Sequence, residues 1–263
     1  MTVNEKLMMA GLFLSRFDKD GLRVLGFEGF WEAYNTLAFA VGAPPKSINN
    51  YRDEFDPYFP NPRKGWACRP LRPTRQKMMD ELAGLSIDEF ALLIRNNFSR
   101  DADIEELQFR EERSRKRSGS FDGSFAKRLM TGCAAENYFE QHYQEVECFK
   151  ESAVVRTTQG GCGFDFKLTF PSHPFCAVEV KGLSAFSGSI QFTEKEHYVA
   201  ETLQERYFLY VVRDFIRKPS VLVVQNPLNS DLKFDRKNET RVVTTWRSSI
   251  SDETSSSYLS FES

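Results

Sequence analysis

Two acidic residues and a lysine in the second half of the chain have types and spacing suited to chemistry. Asp165 lies in the run GFDF (residues 163–166), and Glu179 and Lys181 lie in the run AVEVKG (residues 177–182). Side chains on a β-strand alternate between its two faces, so Glu179 and Lys181 share one face. Burying this pair costs free energy unless the two groups pair with each other or with a metal ion and its water.

A hairpin with its turn around residues 171–174 would return Asp165 to a position beside Glu179. Two carboxylates suit Mg²⁺, for which Mn²⁺ can substitute, because Mg²⁺ binds a few carboxylates together with waters and phosphate oxygens. Such a metal polarises a phosphate and lowers the pKa of its bound water, and Lys181 would orient that water and offset developing charge. We therefore predict phosphodiester hydrolysis at Asp165, Glu179 and Lys181. The alternative is an ordinary ion pair on the surface of a strand.

The elements that must position these residues predict an α+β protein, with a mostly helical N-terminal domain followed by a mixed-sheet core. Residues 1–118 are assigned to the helical domain, residues 119–247 to the core, and residues 248–263 to a polar, disordered tail. In the core, the pattern predicts helices at residues 125–144 and 193–206. Strands are predicted near Val154 and at residues 164–170, 176–181, 207–212 and 221–224.

The N-terminal region contains the outline of a helix-turn-helix. A helical pattern over residues 30–41 is followed by a Gly/Pro turn and by Ser47, a plausible cap for a helix that reaches residue 55. This arrangement would present Asn49 and Arg52 outward as DNA-binding candidates. Another helix is predicted to begin with a capping box formed by Ser86 and Glu89.

A basic run over residues 60–77 contains no acidic residue. We predict that its cations contact DNA phosphates, although such a run is also typical of a solvated surface. The candidates are Arg63, Lys64, Arg69, Arg72 and Arg75.

Composition limits the remaining possibilities. Apolar residues make up 41% of the 263-residue chain, and its net charge is −2. The chain has five scattered cysteines and three histidines without metal-ligand spacing, which argues against a disulfide framework or a zinc site. Its apolar stretches are too short to span a membrane and no secretory signal is evident, so we expect a soluble cytoplasmic protein.

The run GFDF…AVEVKG…FTEKE…YFLYVV resembles the DUF3883 (NO VEIN C-terminal) branch of the PD-(D/E)XK nuclease superfamily. The resemblance extends over residues 131–227 and implies a restriction-endonuclease-like core with the acidic residues and the lysine as its active site. Many relatives accompany bacterial restriction and anti-phage genes, so the resemblance implies a role in restriction or phage defence.

This resemblance points to two further glutamates as candidate site residues. The family's helix motif matches GCAAE (residues 132–136), which implies that Glu136 is an additional metal or catalytic carboxylate. The alternative is an exposed helical glutamate. The T-x-x-E element places Glu196 near the site, together with Gln191, while a capping box with Thr193 is a sufficient structural explanation.

The leading hypothesis is a Mg²⁺-dependent DNA endonuclease, with a homodimer as a possible state because cutting both strands usually requires two active sites. The alternatives are a non-catalytic module that binds nucleic acid or protein, and an RNase.

Overall fold

A computed structural model of the protein describes residues 1–66, 70–100, 123–158, 161–172, 174–238 and 248. The described residues form seven α-helices and one five-stranded mixed sheet, helical first and then sheet-containing, which confirms the predicted α+β class. Residues Met1–Leu232 form one compact unit. The boundary expected at residues 118–119 lies outside the described residues, and so does the expected tail, apart from residue 248.

Three of the described α-helices begin with a capping box. Thr2 and Glu5 form a capping box for α1, and the left-handed Gly26 ends it. The capping box of Ser86 and Glu89 is confirmed at the start of α5. None of the described helices has the length and apolarity to cross a membrane. The helices are α1 (Val3–Leu25), α2 (Phe30–Ala40), α3 (Lys46–Phe55), α4 (Pro73–Glu81), α5 (Ile87–Phe98), α6 (Ser124–His142) and α7 (Glu194–Leu203).

Two details of the helical region differ from the sequence-based expectation. Helix α3 begins at Lys46 after Pro45, so Ser47 lies inside its first turn and does not cap it. Arg52 was expected to face outward, but only 12% of its side chain is exposed. The physical reason is that α3 packs along α1, and Arg52 lies over the rings of Phe30 and Tyr34.

The helical region and the sheet region share helix α6. The first hydrophobic core is built from α1, α2, α3 and α5, and it includes Ala126 and Met130 from α6. A buried Glu32 on α2 pairs with Lys127 on α6 at 2.6 Å. The packing of α2 against α6 therefore joins the helices to the helix that covers the sheet.

The sheet has strand order β1-β2-β3-β4-β5. Strands β3 and β4 are parallel, and α7 lies between them in sequence as the crossover; the other neighbouring strands are antiparallel. The strands are β1 (Ala153–Arg156), β2 (Phe166–Thr169), β3 (Cys176–Leu183), β4 (Tyr207–Arg213) and β5 (Ser220–Gln225). Each of the five strands predicted from the sequence is present.

The two faces of β3 pack against different helices. Val178 and Val180 belong to the core that contains Ala134 and Phe139 of α6. Ala177 instead packs with Ala200 of α7 and with Tyr207. Because side chains alternate along a strand, the face that carries Ala177 also carries Glu179 and Lys181.

Candidate active site

Asp165 immediately precedes β2 and lies against β3. Its backbone N–H donates to the carbonyl oxygen of Val178 at 3.0 Å, and its Oδ2 atom accepts from the N–H of Val180 at 2.9 Å. The hairpin predicted from the sequence therefore returns Asp165 to the strand that carries Glu179. Burial raises the pKa of Asp165, although the Val180 N–H and the charge of Lys181 oppose the change.

Glu179 and Lys181 lie on the same face of β3 and contact each other. The Nζ atom of Lys181 donates to Glu179 Oε1 at 2.6 Å and to Glu196 Oε2 at 3.0 Å. Glu179 is 2% exposed, whereas 20% of the Lys181 side chain is exposed. The pair therefore lies at the boundary between the sheet interior and solvent, not on an open strand surface.

Burial raises the pKa of Glu179 to about 9, and the negative charge of Asp165 adds to this rise, although Lys181 opposes it. Burial alone would lower the pKa of Lys181, but the charges of Glu179 and Glu196 outweigh burial and raise it. Two acidic side chains, Glu179 and Glu196, thus bind one ammonium group, and Asp165 adds a third acidic group nearby. This excess of negative charge is what a divalent cation would neutralise.

The carboxylates open into a cleft of about 520 Å³. One wall comes from helix α6, through Arg128, Gly132 and Glu136, which follow one another at intervals of four residues on one helix face. The other wall comes from the start of α7, through Lys195 and Glu196. Glu179 and Lys181 line the same cleft between these walls.

Gly163 fixes the loop that leads into Asp165. Its φ of +84° is a conformation that favours glycine, and a Cβ there would lie 2.8 Å from Cγ2 of Val199 on α7. Its carbonyl oxygen accepts from the hydroxyl of Tyr207 at 3.2 Å. Glycine at this position therefore lets the loop pack directly against α7, beside the cleft.

Glu136 lines the cleft, but its carboxylate is engaged by two arginines. Oε1 accepts from Arg100 at 2.8 Å, and Oε2 accepts from Arg156 at 3.0 Å. Glu136 is 4% exposed, so the alternative of an exposed helical glutamate is wrong. With both oxygens in ion pairs, this arrangement favours a role for Glu136 in holding Arg100 and Arg156 over a role as metal ligand.

Glu196 has both of the roles that the sequence left open. It forms the capping box of α7 with Thr193, whose hydroxyl accepts from the Glu196 N–H. The Glu196 carboxylate also accepts a hydrogen bond from the ammonium group of Lys181. Gln191 also lines the cleft. The capping box therefore does not compete with a role in the site, because one side chain serves both.

The basic run of the N-terminal region is largely paired with acidic residues from elsewhere. Arg63 binds Asp56 at 2.8 Å and also contacts Asp18. Arg75 binds Glu54 at 3.2 Å. The acidic partners lie on α1, on α3 and just after α3, so they cannot be seen within residues 60–77. The expectation of a phosphate-binding surface centred on these arginines is weakened for that physical reason.

Among the remaining DNA-binding candidates, some are paired with acidic residues and others are exposed. Asn49 donates to Asp53 at 3.1 Å, and Arg52 pairs with Asp53 at 2.9 Å. Arg72 lies 3.4 Å from Glu54 but keeps 61% of its side chain exposed. Lys64 is exposed. Arg69 lies outside the described residues.

Sequence reasoning missed the arginines that line the cleft or bind Glu136. Arg100 and Arg156 come from a segment after α5 and from β1, and no local pattern connects either of them to Glu136. Arg128 could have been found, because it precedes Gly132 and Glu136 at helical spacing on a helix that the sequence did predict.

The donor set fits a divalent cation held by few protein ligands. In the described part of the chain, no group of three or more His, Cys, Asp or Glu side chains is arranged to hold a metal ion. Asp165 and Glu179 remain as two acidic side chains that line the same cleft, and each raises the cost of ionising the site. Two carboxylates, with waters and substrate oxygens, are the kind of site that Mg²⁺ uses.

Comparison with protein families matches residues 135–224 to the family described as Protein NO VEIN, C-terminal. The matched stretch contains Asp165, Glu179 and Lys181 and lies within residues 131–227, where the resemblance was expected. No curated protein matches the chain, and no solved structure matches it. The sheet-containing part of the chain is therefore similar to the NO VEIN C-terminal family, while the wider relation to PD-(D/E)XK nucleases stays a prediction.

Proposed function

We propose that the chain is a Mg²⁺-dependent endonuclease that hydrolyses phosphodiester bonds, with DNA as the expected substrate. One observation carries the proposal: Asp165, just before β2, and Glu179 and Lys181, on β3, line one cleft. A structural ion pair would require only Glu179 and Lys181. The third group, Asp165, adds to the rise in the pKa of Glu179 that burial causes, which is costly for stability and useful for binding a cation.

Asp165 and Glu179 would hold the metal, which when bound supplies a polarised phosphate and a water of lowered pKa. Lys181 is held between Glu179 and Glu196, so its ammonium group points to the carboxylates instead of into bulk water. From there it can donate to a phosphate oxygen or to the attacking water and offset negative charge in the transition state.

The resemblance to proteins that accompany restriction and anti-phage genes supports a role in defence against foreign DNA as part of this proposal. That role does not follow from the geometry of the site. It requires a nuclease activity first, and the decisive experiment therefore concerns cleavage.

The test is cleavage of supercoiled plasmid with Mg²⁺ by the wild type and by Lys181→Ala. We expect cleavage by the wild type, loss of cleavage in EDTA, and a fall of at least about a hundredfold for Lys181→Ala. Lys150→Ala is the matched control, because Lys150 pairs with Glu147 at the surface outside the cleft. Equal cleavage by wild type and Lys181→Ala would remove the proposal.

Parallel reactions with methylated plasmid, single-stranded DNA and RNA separate the alternatives. Cleavage of RNA alone would indicate an RNase that uses the same carboxylates. Binding that persists in EDTA, without cleavage of any of these polymers, would indicate a non-catalytic module.

A further inference from the structure

Most of the cations expected to bind nucleic acid form ion pairs with carboxylates of the helical region. Arg52, Arg63 and Arg75 each pair with carboxylates at described positions. These three arginines are therefore poor candidates for phosphate contacts, and the rim of the cleft offers other cations.

Arg128 supplies one side of this rim. It is an exposed residue on α6, two helical steps of four before the buried Glu136, and it shares the cleft-facing side of the helix with Gly132. A Cβ at Gly132 would meet nothing within 4 Å, so the surface between Arg128 and Glu136 is open. No ion pair of Arg128 is found among the described residues.

Lys195 supplies the other side. It is exposed in the first turn of α7, on the opposite face of the sheet from α6, and it lines the same cleft. Its Nζ atom lies beside the loop that leads to Asp165, 3.9 Å from where a Cβ of Gly161 would be. Within the described ranges it also forms no ion pair, although Glu196 is its neighbour in sequence.

We propose that Arg128 and Lys195 bind the backbone phosphates of a nucleic-acid strand on either side of the phosphate that faces Asp165 and Glu179. The identity of the polymer rests on the proposed function. The cleft has an acidic floor and a basic rim, and this distribution separates two tasks. The floor attracts a divalent cation, while the rim attracts the phosphates next to the reacting one and holds the strand in register across the carboxylates.

The rim is tested by the binding of a fluorescein-labelled oligonucleotide, followed by fluorescence anisotropy with Ca²⁺ in place of Mg²⁺. The test variant is Arg128→Ala/Lys195→Ala. The matched control is Arg23→Ala/Lys77→Ala, which removes one arginine and one lysine from exposed positions outside the cleft. Single-stranded DNA and RNA of the same sequence are used in separate titrations over a range of salt concentrations.

We expect the rim variant to bind at least about tenfold more weakly than the wild type, because each phosphate contact contributes through counterion release. The slope of log K against log salt should become shallower by about 1 for each cation removed. The control variant should keep the affinity and slope of the wild type. Preferential binding of one polymer would show whether the strand is DNA or RNA.

The inference is overturned if the rim variant keeps the affinity and salt slope of the wild type, or if the control variant weakens binding equally. It is also overturned if the wild type binds neither DNA nor RNA. Binding that depends on the rim without any cleavage would remove the proposed activity but leave the binding surface in place. The two proposals can therefore fail separately.

Discussion

The Oε2 atom of Glu196 accepts from the Nζ atom of Lys181 at 3.0 Å and from the backbone N–H of Thr193 at 2.8 Å. One oxygen therefore completes the capping box of α7 and also binds the lysine of the candidate site. The helix that covers this face of the sheet is thus tied to the residue proposed to act on phosphate. The position of Lys181 is therefore linked to the start of α7 through one Glu196 oxygen.

Replacing Glu196 separates these two roles. Glu196→Gln retains a side chain that can complete a capping box, but it removes the negative charge from Lys181. We expect its free energy of unfolding to stay within about 1 kcal/mol of the wild type. Cleavage should fall by about tenfold or more, as for other residues that orient a catalytic group.

Thr193→Ala is the complementary variant. It removes the side-chain acceptor of the cap and should cost about 1 kcal/mol of stability while cleavage stays close to that of the wild type. Urea denaturation and plasmid cleavage measure the two quantities. If both variants lowered activity in proportion to stability, Glu196 would be a structural residue only.

Glu179 should make stability depend on pH. Its pKa of about 9 lies above the ordinary value of 4.5, so the folded chain keeps a proton that the unfolded chain releases. The contribution of Glu179 to the free energy of unfolding is therefore complete below pH 4.5 and is lost as pH rises toward 9. In EDTA, we expect the wild type to lose more stability between pH 5 and pH 8 than Glu179→Gln does.

At pH 8 the Glu179→Gln variant should be more stable than the metal-free wild type, on the order of 2 kcal/mol. Mg²⁺ should recover part of the difference for the wild type alone, since a ligand of the folded state stabilises it. Glu201→Gln, at an exposed position on α7, is the control. The same pH dependence in all three proteins would contradict the raised pKa.

Glu136 should not contribute to metal binding. Because its two oxygens accept from Arg100 and Arg156, Glu136→Gln is expected to leave the dissociation constant for Ca²⁺ within about twofold of the wild-type value. Asp165→Asn should weaken Ca²⁺ binding by at least about tenfold in the same calorimetric titration. Similar losses in both variants would restore Glu136 as a metal ligand.

Arg63 should be required for folding and not for contact with nucleic acid. Its partner Asp56 is 1% exposed and also accepts from the Ser15 hydroxyl, so Arg63→Ala leaves a buried carboxylate without its main cation. We expect a loss of about 3 kcal/mol or more in chemical denaturation. Lys64→Ala, the exposed neighbour, should change stability by less than about 0.5 kcal/mol. Equal effects of the two substitutions would contradict this interpretation.

Much of the sheet region was predictable because its signals are local. The five strands, the hairpin before β3 and the capping box of α7 were all identified from alternation, turn residues and cap residues. The same alternation placed Glu179 and Lys181 on one face. Such patterns depend on residues a few positions apart, and neighbouring residues in sequence are also neighbours in an extended strand.

The surroundings of the site were not predictable in this way. Arg156 reaches Glu136 from β1, and Arg100 reaches it from the segment after α5. No rule of spacing connects residues that meet only when several elements pack. The sequence also could not show that Glu196 both caps α7 and pairs with Lys181, because it does not say which face of the sheet α7 covers.

The sequence by itself determined the class of the fold, the strand that carries Glu179 and Lys181, the hairpin that returns Asp165 to it, and the types of group available for chemistry. The tertiary structure decided which charges remain for a substrate. It pairs Arg63 and Arg75 with carboxylates on or beside distant helices and leaves Arg128 and Lys195 at the rim of the cleft. The physical reason is that Coulomb interaction depends on distance in space, and the partners of a charge are known only after the chain has folded.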